Sequence, residues 1–240
     1  MAKTSTPVFA VQRSADRAFF DHGWLKTYHS FSFADYYDEN NLHWGALRVF
    51  NDDSVAGGKG FPPHPHRDME IVTYVLQGRL QHRDSIGSEG IVGPGGVQFM
   101  SAGTGVRHSE FNADENETLH FVQMWVLPGR TGEAPSYGQM DFEPEARYNT
   151  WLRIVSGEQN VDAPIRITQE ATFSVARVEG ALPVYEFAAQ RFGFLFVASG
   201  TVEVNGEKLQ SGDAVRLYDV RTLDIKGNGE LVLWDTPPVA

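Results

Sequence analysis

The spacing of the apolar runs constrains this chain more than any other feature. Leu47–Phe50, Met69–Leu76, Leu119–Leu127, Phe173–Val178, Phe192–Ala198, Thr201–Val204 and Leu231–Trp234 are each of strand length, rich in Val, Phe, Tyr, Leu and Thr. Gly, Asn and Asp interrupt the chain roughly every ten residues, the rhythm of a sandwich or barrel of short strands. Helical periodicity is weak throughout, with Pro144–Val155 the best candidate for a helix. A hydrophobic share of 41% suffices for packed cores. The expectation is an all-β fold.

The stretch Pro128–Tyr148 decides how those strands divide. It carries Pro128, Gly129, Gly132, Pro135, Gly138 and Pro144 and is the most loop-like part of the chain. A chain of 240 residues can hold two small domains, and we place them at residues 1–132 and 133–240. An internal echo supports two similar units: TYVLQGRL (Thr73–Leu80) and LFVASGTV (Leu195–Val202) each run an apolar strand into a Gly and on into a polar-alternating one. Downstream, Gly95-Gly96-Val97 and Ser211-Gly212-Asp213 each precede another apolar stretch.

Composition removes several classes of function. The formal charge is −11 with no run of Lys and Arg, so direct nucleic-acid binding is not expected. No apolar run approaches the roughly 20 residues that span a bilayer. Pro7, Gln12 and Arg13 break the N-terminal stretch before a signal-type apolar region can form, so we expect a cytoplasmic protein and no membrane contact. Cysteine is absent, which excludes disulfides, thiolate nucleophiles and Fe–S clusters. Any metal therefore sits on nitrogen and oxygen.

The histidine pattern is the sharpest chemical signal. His64-Pro65-His66 and His108-Ser109-Glu110 each place two candidate ligands at i and i+2, on one face of a strand. If the two strands are neighbours facing one interior, three imidazoles and a carboxylate converge, a set suited to Fe, Mn, Ni, Cu or Zn. Pro62, Pro63 and Pro65 lack amide donors, which puts the histidine pair at a strand start or sheet edge. Ser101-Ala102, Gly103 and Gly105 make a tight turn that delivers His108 from a loop. Glu70 is a further candidate ligand, or a partner for Arg67. His22, His29 and His43 read as surface or loop residues and His82, beside Arg83 and Asp84, as solvated. His120, in LHFVQMWVL, reads as a buried hydrogen-bonding residue near the ligands.

These segments resemble a known family. Gly58-x5-His64-x-His66-x3-Glu70 fits the first cupin motif, with Gly78 one residue later than usual, and Gly105-x2-His108-x3-Asn112 fits the end of the second, with Gly103 where a proline is common. More closely, HSFSFADYYD (His29–Asp38), PHPHRDMEIVTYVLQG (Pro63–Gly78), GTGVRHSEFN (Gly103–Asn112) and LHFVQMWVLP (Leu119–Pro128) resemble the pirins, a bicupin family. The match is strong over the N-terminal half and only generally cupin-like over the C-terminal half. The resemblance implies two jelly-roll β-barrel domains, with the metal in the N-terminal one. It implies the ligands His64, His66, His108 and Glu110, favouring Glu110 over Glu70, and one divalent transition metal ion, iron, Fe(II), first among the alternatives.

Some bacterial pirins resemble quercetin 2,3-dioxygenase, so the implied reaction is oxidative ring opening of a flavonol by O2 with loss of carbon monoxide. On this reading Glu110 is both ligand and base for the 3-hydroxyl proton. Pirins are also linked to transcriptional regulation, so the alternative is an iron-bearing, redox-sensing regulator acting through a protein partner. A third reading is a metal-assisted hydrolase or isomerase, since cupins host many chemistries. Phe61, Tyr74, Phe99, Phe111 and Trp125 lie on or beside the ligand-bearing strands, and at least three of the five should be ordinary core. Residues 121–240 contain no histidine, so the C-terminal domain is expected to be metal-free and structural.

Overall fold

The computed structural model describes residues 6–239, so the first five residues of the N-terminal reading lie outside it. The Val-, Phe- and Leu-rich runs form strands whose buried faces assemble two separate cores. In chain order the strands begin with β1 (Val8–Gln12), β2 (Ala18–Asp21), β3 (Leu25–His29), β4 (Leu47–Val55), β5 (Gly60–His66) and β6 (Glu70–Gln77). They continue with β7 (Leu80–Asp84), β8 (Glu89–Val92), β9 (Val97–Ser101), β10 (Val106–Asn112), β11 (Leu119–Val126) and β12 (Ser136–Met140). After these come β13 (Leu152–Ser156), β14 (Ile165–Arg166), β15 (Thr172–Ala181), β16 (Tyr185–Glu186) and β17 (Phe192–Val204). The chain closes with β18 (Glu207–Gln210), β19 (Ala214–Tyr218), β20 (Thr222–Leu223) and β21 (Ile225–Thr236).

The N-terminal unit is two antiparallel sheets. One runs β12-β9-β6-β11-β4-β3-β2 and the other β5-β10-β7-β8. Its core includes Val55, Val75, Leu80, Val92, Leu119 and Phe121, drawn from both sheets and all essentially inaccessible. The C-terminal unit has a main sheet ordered β1-β19-β17-β21-β15-β13-β14, with β18 on β17, and a small β16-β20 pair. Its interior is filled with apolar side chains, among them Val178, Leu195, Val197, Leu217, Leu231 and Leu233. The chain is all-β, a pair of jelly-roll cupin domains.

The internal echo has a topological counterpart. The order β9-β6-β11-β4 in the first unit is matched by β19-β17-β21-β15 in the second. The two Gly of the echo, Gly78 and Gly200, both have positive φ. They do different work, however. Gly78 ends β6 so that β7 starts in the other sheet, whereas β17 runs through Gly200 for 13 residues against β21.

The division of the chain differs from 1–132 and 133–240. The N-terminal unit comprises Ala18–His43 and Leu47–Phe142; the second begins at Glu143 and also takes Trp44–Ala46 and the segment ending at Arg17. Two pairings cause this: β12 adds to the edge of β9, and β1 adds to the edge of β19. SYGQM is too polar to mark its own sheet, and the partner of β1 lies some two hundred residues away. The expected helix at Pro144–Val155 is a 3-10 turn, Pro144–Arg147, followed by β13. No helix among the described residues is long and apolar enough to cross a membrane.

Candidate metal centre

The site is built on the four-stranded sheet of the N-terminal unit. β5 is its edge strand, paired only with β10, a position that suits a run whose three prolines have no amide to donate. It runs antiparallel to β10, with Val106 opposite His66 and His108 opposite His64. His108 therefore comes from the third residue of a regular strand, not from a loop. Beyond His108 the register shifts by a bulge, so that Glu110 stands opposite Phe61. Gly60 makes that close approach feasible: a Cβ there would lie 2.2 Å from the Glu110 carbonyl oxygen. The preceding turn depends on Gly103, whose φ is +45° and whose Cβ would lie 2.2 Å from the Glu133 carbonyl oxygen.

Strand alternation brings the three imidazoles together. The ring centroids of His64 and His108, His64 and His66, and His66 and His108 are 4.5, 4.8 and 4.9 Å apart. Three imidazoles bound at right angles through metal–nitrogen bonds of about 2.1 Å would have centroids about 4.6 Å apart. A nitrogen from each of the three lies within 4.8 Å of the others. The His64 Nδ1 is 2.8 Å from the Pro62 carbonyl oxygen, to which it donates, leaving Nε2 as its lone-pair nitrogen. Burial, and then the neighbouring imidazoles His108 and His64, depress the His66 pKa to about 4. Burial likewise comes first for His108, at about 3, followed by His64 and His82. Both rings are neutral near pH 7, the state a metal ligand needs.

His82 and Asp84 set the orientation of His108. His82 is fully buried, lies flat on the Tyr137 ring at 4.0 Å and contacts Asp84 Oδ2 through Nε2 at 3.0 Å. Burial opposes the Asp84 charge, but the His82 bond and the Ser88 and Ile86 amides outweigh it and hold the pKa below normal. Ionised Asp84 accepts from His82 Nε2–H, which leaves His82 Nδ1 to accept, across a long 3.4 Å contact, from His108 Nδ1–H. The remaining His108 nitrogen, Nε2, is buried without a hydrogen-bond partner in the protein. A buried lone pair of that kind is what a cation would satisfy, and the donor set around it fits one.

Glu110 is nearly inaccessible, and its carboxylate accepts from Gln98 Nε2 on one oxygen and from Gln123 Nε2, at 2.8 Å, on the other. It lies beside His108 and His82, and it is not in the cluster that joins His64 and His66. Glu70, buried at the start of β6, is in neither cluster, and Arg67 pairs with Asp68. A cavity of about 340 Å³ opens over the histidines, lined by Phe33, Asn51, Asp53, Phe61, Pro62, Pro63, His64, His66, Glu110, Gln123 and Trp125. Of the five aromatics weighed from sequence only Phe61 and Trp125 line it; Tyr74 and Phe99 are buried elsewhere.

Comparison with known proteins places this arrangement. Residues 9–126 match the pirin family, and residues 153–233 match the quercetinase C-terminal cupin domain. A pirin-like protein of Caulobacter vibrioides is 46% identical over 219 residues, covering 90% of this chain and 94% of its own. The chain belongs to the pirin family. The protein named quercetin 2,3-dioxygenase in Escherichia coli K12 is 38% identical to this pirin over 238 residues, 95% of this chain and 99% of the relative. The crystal structure of E. coli YhhW superposes with a TM-score of 0.90 at 36% identity, covering 97% and 99% of the two chains. The nickel(II) complex of YhhW superposes at 0.89, with 36% identity and coverage of 97% and 100%.

Several histidines of this pirin differ from the sequence reading. His82 is the most buried of them rather than solvated, because Leu80, His82 and Asp84 alternate onto the inner face of β7. The buried Leu80 was the available signal. His29 is also buried, against Phe20 and Phe33, whereas His22 and His43 are exposed. His120 is partly exposed and pairs with Asp52 at 2.6 Å, on the opposite face of β11 from Phe121 and Gln123. Gln98 and Gln123 carry a weaker sequence signal: each interrupts an apolar strand, the pattern of an inward-facing polar group with a partner to hold.

Proposed function

We propose that this pirin is a cytoplasmic oxidoreductase of the quercetin 2,3-dioxygenase type, opening the central ring of a flavonol with O2 and releasing carbon monoxide. The observation that carries the reading is the convergence of three imidazoles, one with an unpartnered buried nitrogen, at the wall of an aromatic-lined cavity. His64, His66, His108 and Glu110 would hold one divalent ion, which we take to be iron(II). When bound, that ion supplies Lewis acidity toward the flavonol 3-oxygen and a route for electrons to O2.

The remaining work falls to the chain itself. Among the described residues Glu110 is the cavity-wall carboxylate that clusters with His108, and it takes the 3-hydroxyl proton at one of its oxygens. Gln98 and Gln123 fix that carboxylate in the absence of substrate, so its lone pairs are aimed before the flavonol arrives. Trp125 packs edge-on against both Phe33 and His66, and these rings with Phe61 give a flat apolar slot that excludes water from the reacting ring. Oxygen uptake and carbon monoxide release on adding quercetin to iron-replete protein test the proposal. No turnover of several flavonols under air by fully metal-loaded protein would refute it.

A further inference from the structure

The cavity wall carries two further polar groups that the reaction above does not use. Asn51 and Asp53 stand at i and i+2 on β4 and so share its inner face, and both line the cavity. Each is more than nine-tenths buried. Asn51 Oδ1 and Asp53 Oδ1 have no hydrogen-bond partner in the protein. Apart from His64, His66, Glu110 and Gln123, which the reaction above already uses, the rest of the lining is aromatic or apolar: Phe33, Phe61, Trp125 and the prolines.

Orphaned buried acceptors are costly, and both residues line a space the size of a ligand. What satisfies two oxygen acceptors is a pair of donors. We propose that Asn51 and Asp53 form a subsite that reads the ring hydroxyls of the substrate, so that the cavity selects polyhydroxylated aromatics over analogues that bear only the metal-directed oxygen. This rests on the flavonol reading and adds to it the specificity for the remainder of the molecule.

The chemistry of Asp53 supports the assignment. Burial raises its pKa to about 7, partly offset by the Thr27 hydroxyl on the paired strand, and Asp52 and Glu110 raise it further. A carboxyl in that condition gains most from an O–H donor, because the phenol replaces solvation that burial has removed. The amide oxygen of Asn51 does the same without charge. Phenolic hydroxyls serve both groups, and an aromatic body fills the slot between Phe33 and Trp125.

The experiment compares quercetin with 3-hydroxyflavone, which keeps the 3-hydroxyl and 4-carbonyl but lacks all of quercetin's other hydroxyls. Metal-loaded protein is titrated anaerobically with each, and the two dissociation constants are read from quenching of tryptophan fluorescence. Wild-type protein should prefer quercetin by roughly 10- to 100-fold, one or two charge-assisted hydrogen bonds. In Asn51→Leu/Asp53→Leu the ratio should fall towards unity, with metal content by elemental analysis unchanged. Should the double variant fail to fold, Asn51→Ala alone should still reduce the ratio several-fold. A ratio equal to wild type in the variants, or no preference in wild type while both compounds bind, overturns the subsite and leaves the dioxygenase reading standing. If neither flavonol binds metal-loaded wild-type protein, both the subsite and the dioxygenase reading are overturned.

Discussion

Replacing His82 with alanine separates the fold-derived account of the site from the sequence-derived one. A solvated His82 would make the substitution silent. In the structure the ring is wholly buried, stacked on Tyr137 at 4.0 Å, bonded to Asp84 at 3.0 Å and facing His108 Nδ1 at 3.4 Å. Asp84 keeps its Ile86 and Ser88 amide donors in the variant, so it is not abandoned. His108 Nδ1–H loses its acceptor, a loss of about 1–3 kcal/mol for a buried donor. Loss of such a partner behind a metal ligand weakens metal affinity by about 10–100-fold, the same energy expressed as binding. Removing a buried ring also costs global stability, about 3–5 kcal/mol where the hole does not collapse. Chelator competition gives the affinity and urea denaturation the stability. His82→Asn, whose side-chain oxygen can take the place of Nδ1, should recover part of the affinity but not the stacking. A folded His82→Ala protein with unchanged metal affinity would show that the Asp84–His82–His108 chain does not position the ligand.

Other substitutions test the remaining parts. His66→Ala should lower the metal content of purified protein strongly, with the exposed His22→Ala as the control; full occupancy in the first would remove His66 from the ligand set. Glu110→Gln should retain part of the metal while turnover of quercetin falls by about 10² or more, the contribution of a positioned base. In metal-free protein burial lets Asp53 keep its proton up to about pH 7 when folded, whereas an ordinary aspartate in the unfolded chain loses it at about 3.8. Stability should therefore fall as pH rises across that window, by up to roughly 4 kcal/mol, and Asp53→Asn should flatten the dependence. Urea midpoints at pH 5 and pH 8 read the difference, and an identical slope in wild type and variant would count against a buried acid. Gly103→Ala should destabilise the protein by about 2 kcal/mol or more, since its positive φ and the nearby Glu133 carbonyl leave no room for a methyl group.

Much of this architecture is written in local pattern. Strand runs such as Met69–Leu76 and Leu119–Leu127 match β6 and β11 closely because apolar, β-branched and aromatic stretches have few other uses between glycines. The His-x-His and His-x-Glu pairs declare themselves because alternation along a strand is a property of the backbone alone. Proline placed β5 at an edge for the same reason, since a missing amide is a local fact. Residues whose environment comes from distant chain were misread. His82 and Asp84 look like solvated neighbours of Arg83 until β10 is laid against β7, and β1 looks N-terminal in every sense until β19 pairs with it.

The sequence by itself determined the strand content, the two-domain plan, the absence of thiol chemistry and the imidazole and carboxylate donors available to a metal. Tertiary structure alone decided which of those donors converge, that Glu110 is held by Gln98 and Gln123, that His82 and Asp84 stand behind His108, and that Asn51 and Asp53 face the cavity. The physical reason is range. Alternation and propensity act within a few residues, whereas burial, hydrogen-bond partnership and the resulting pKa depend on strands brought together from dozens or hundreds of residues apart.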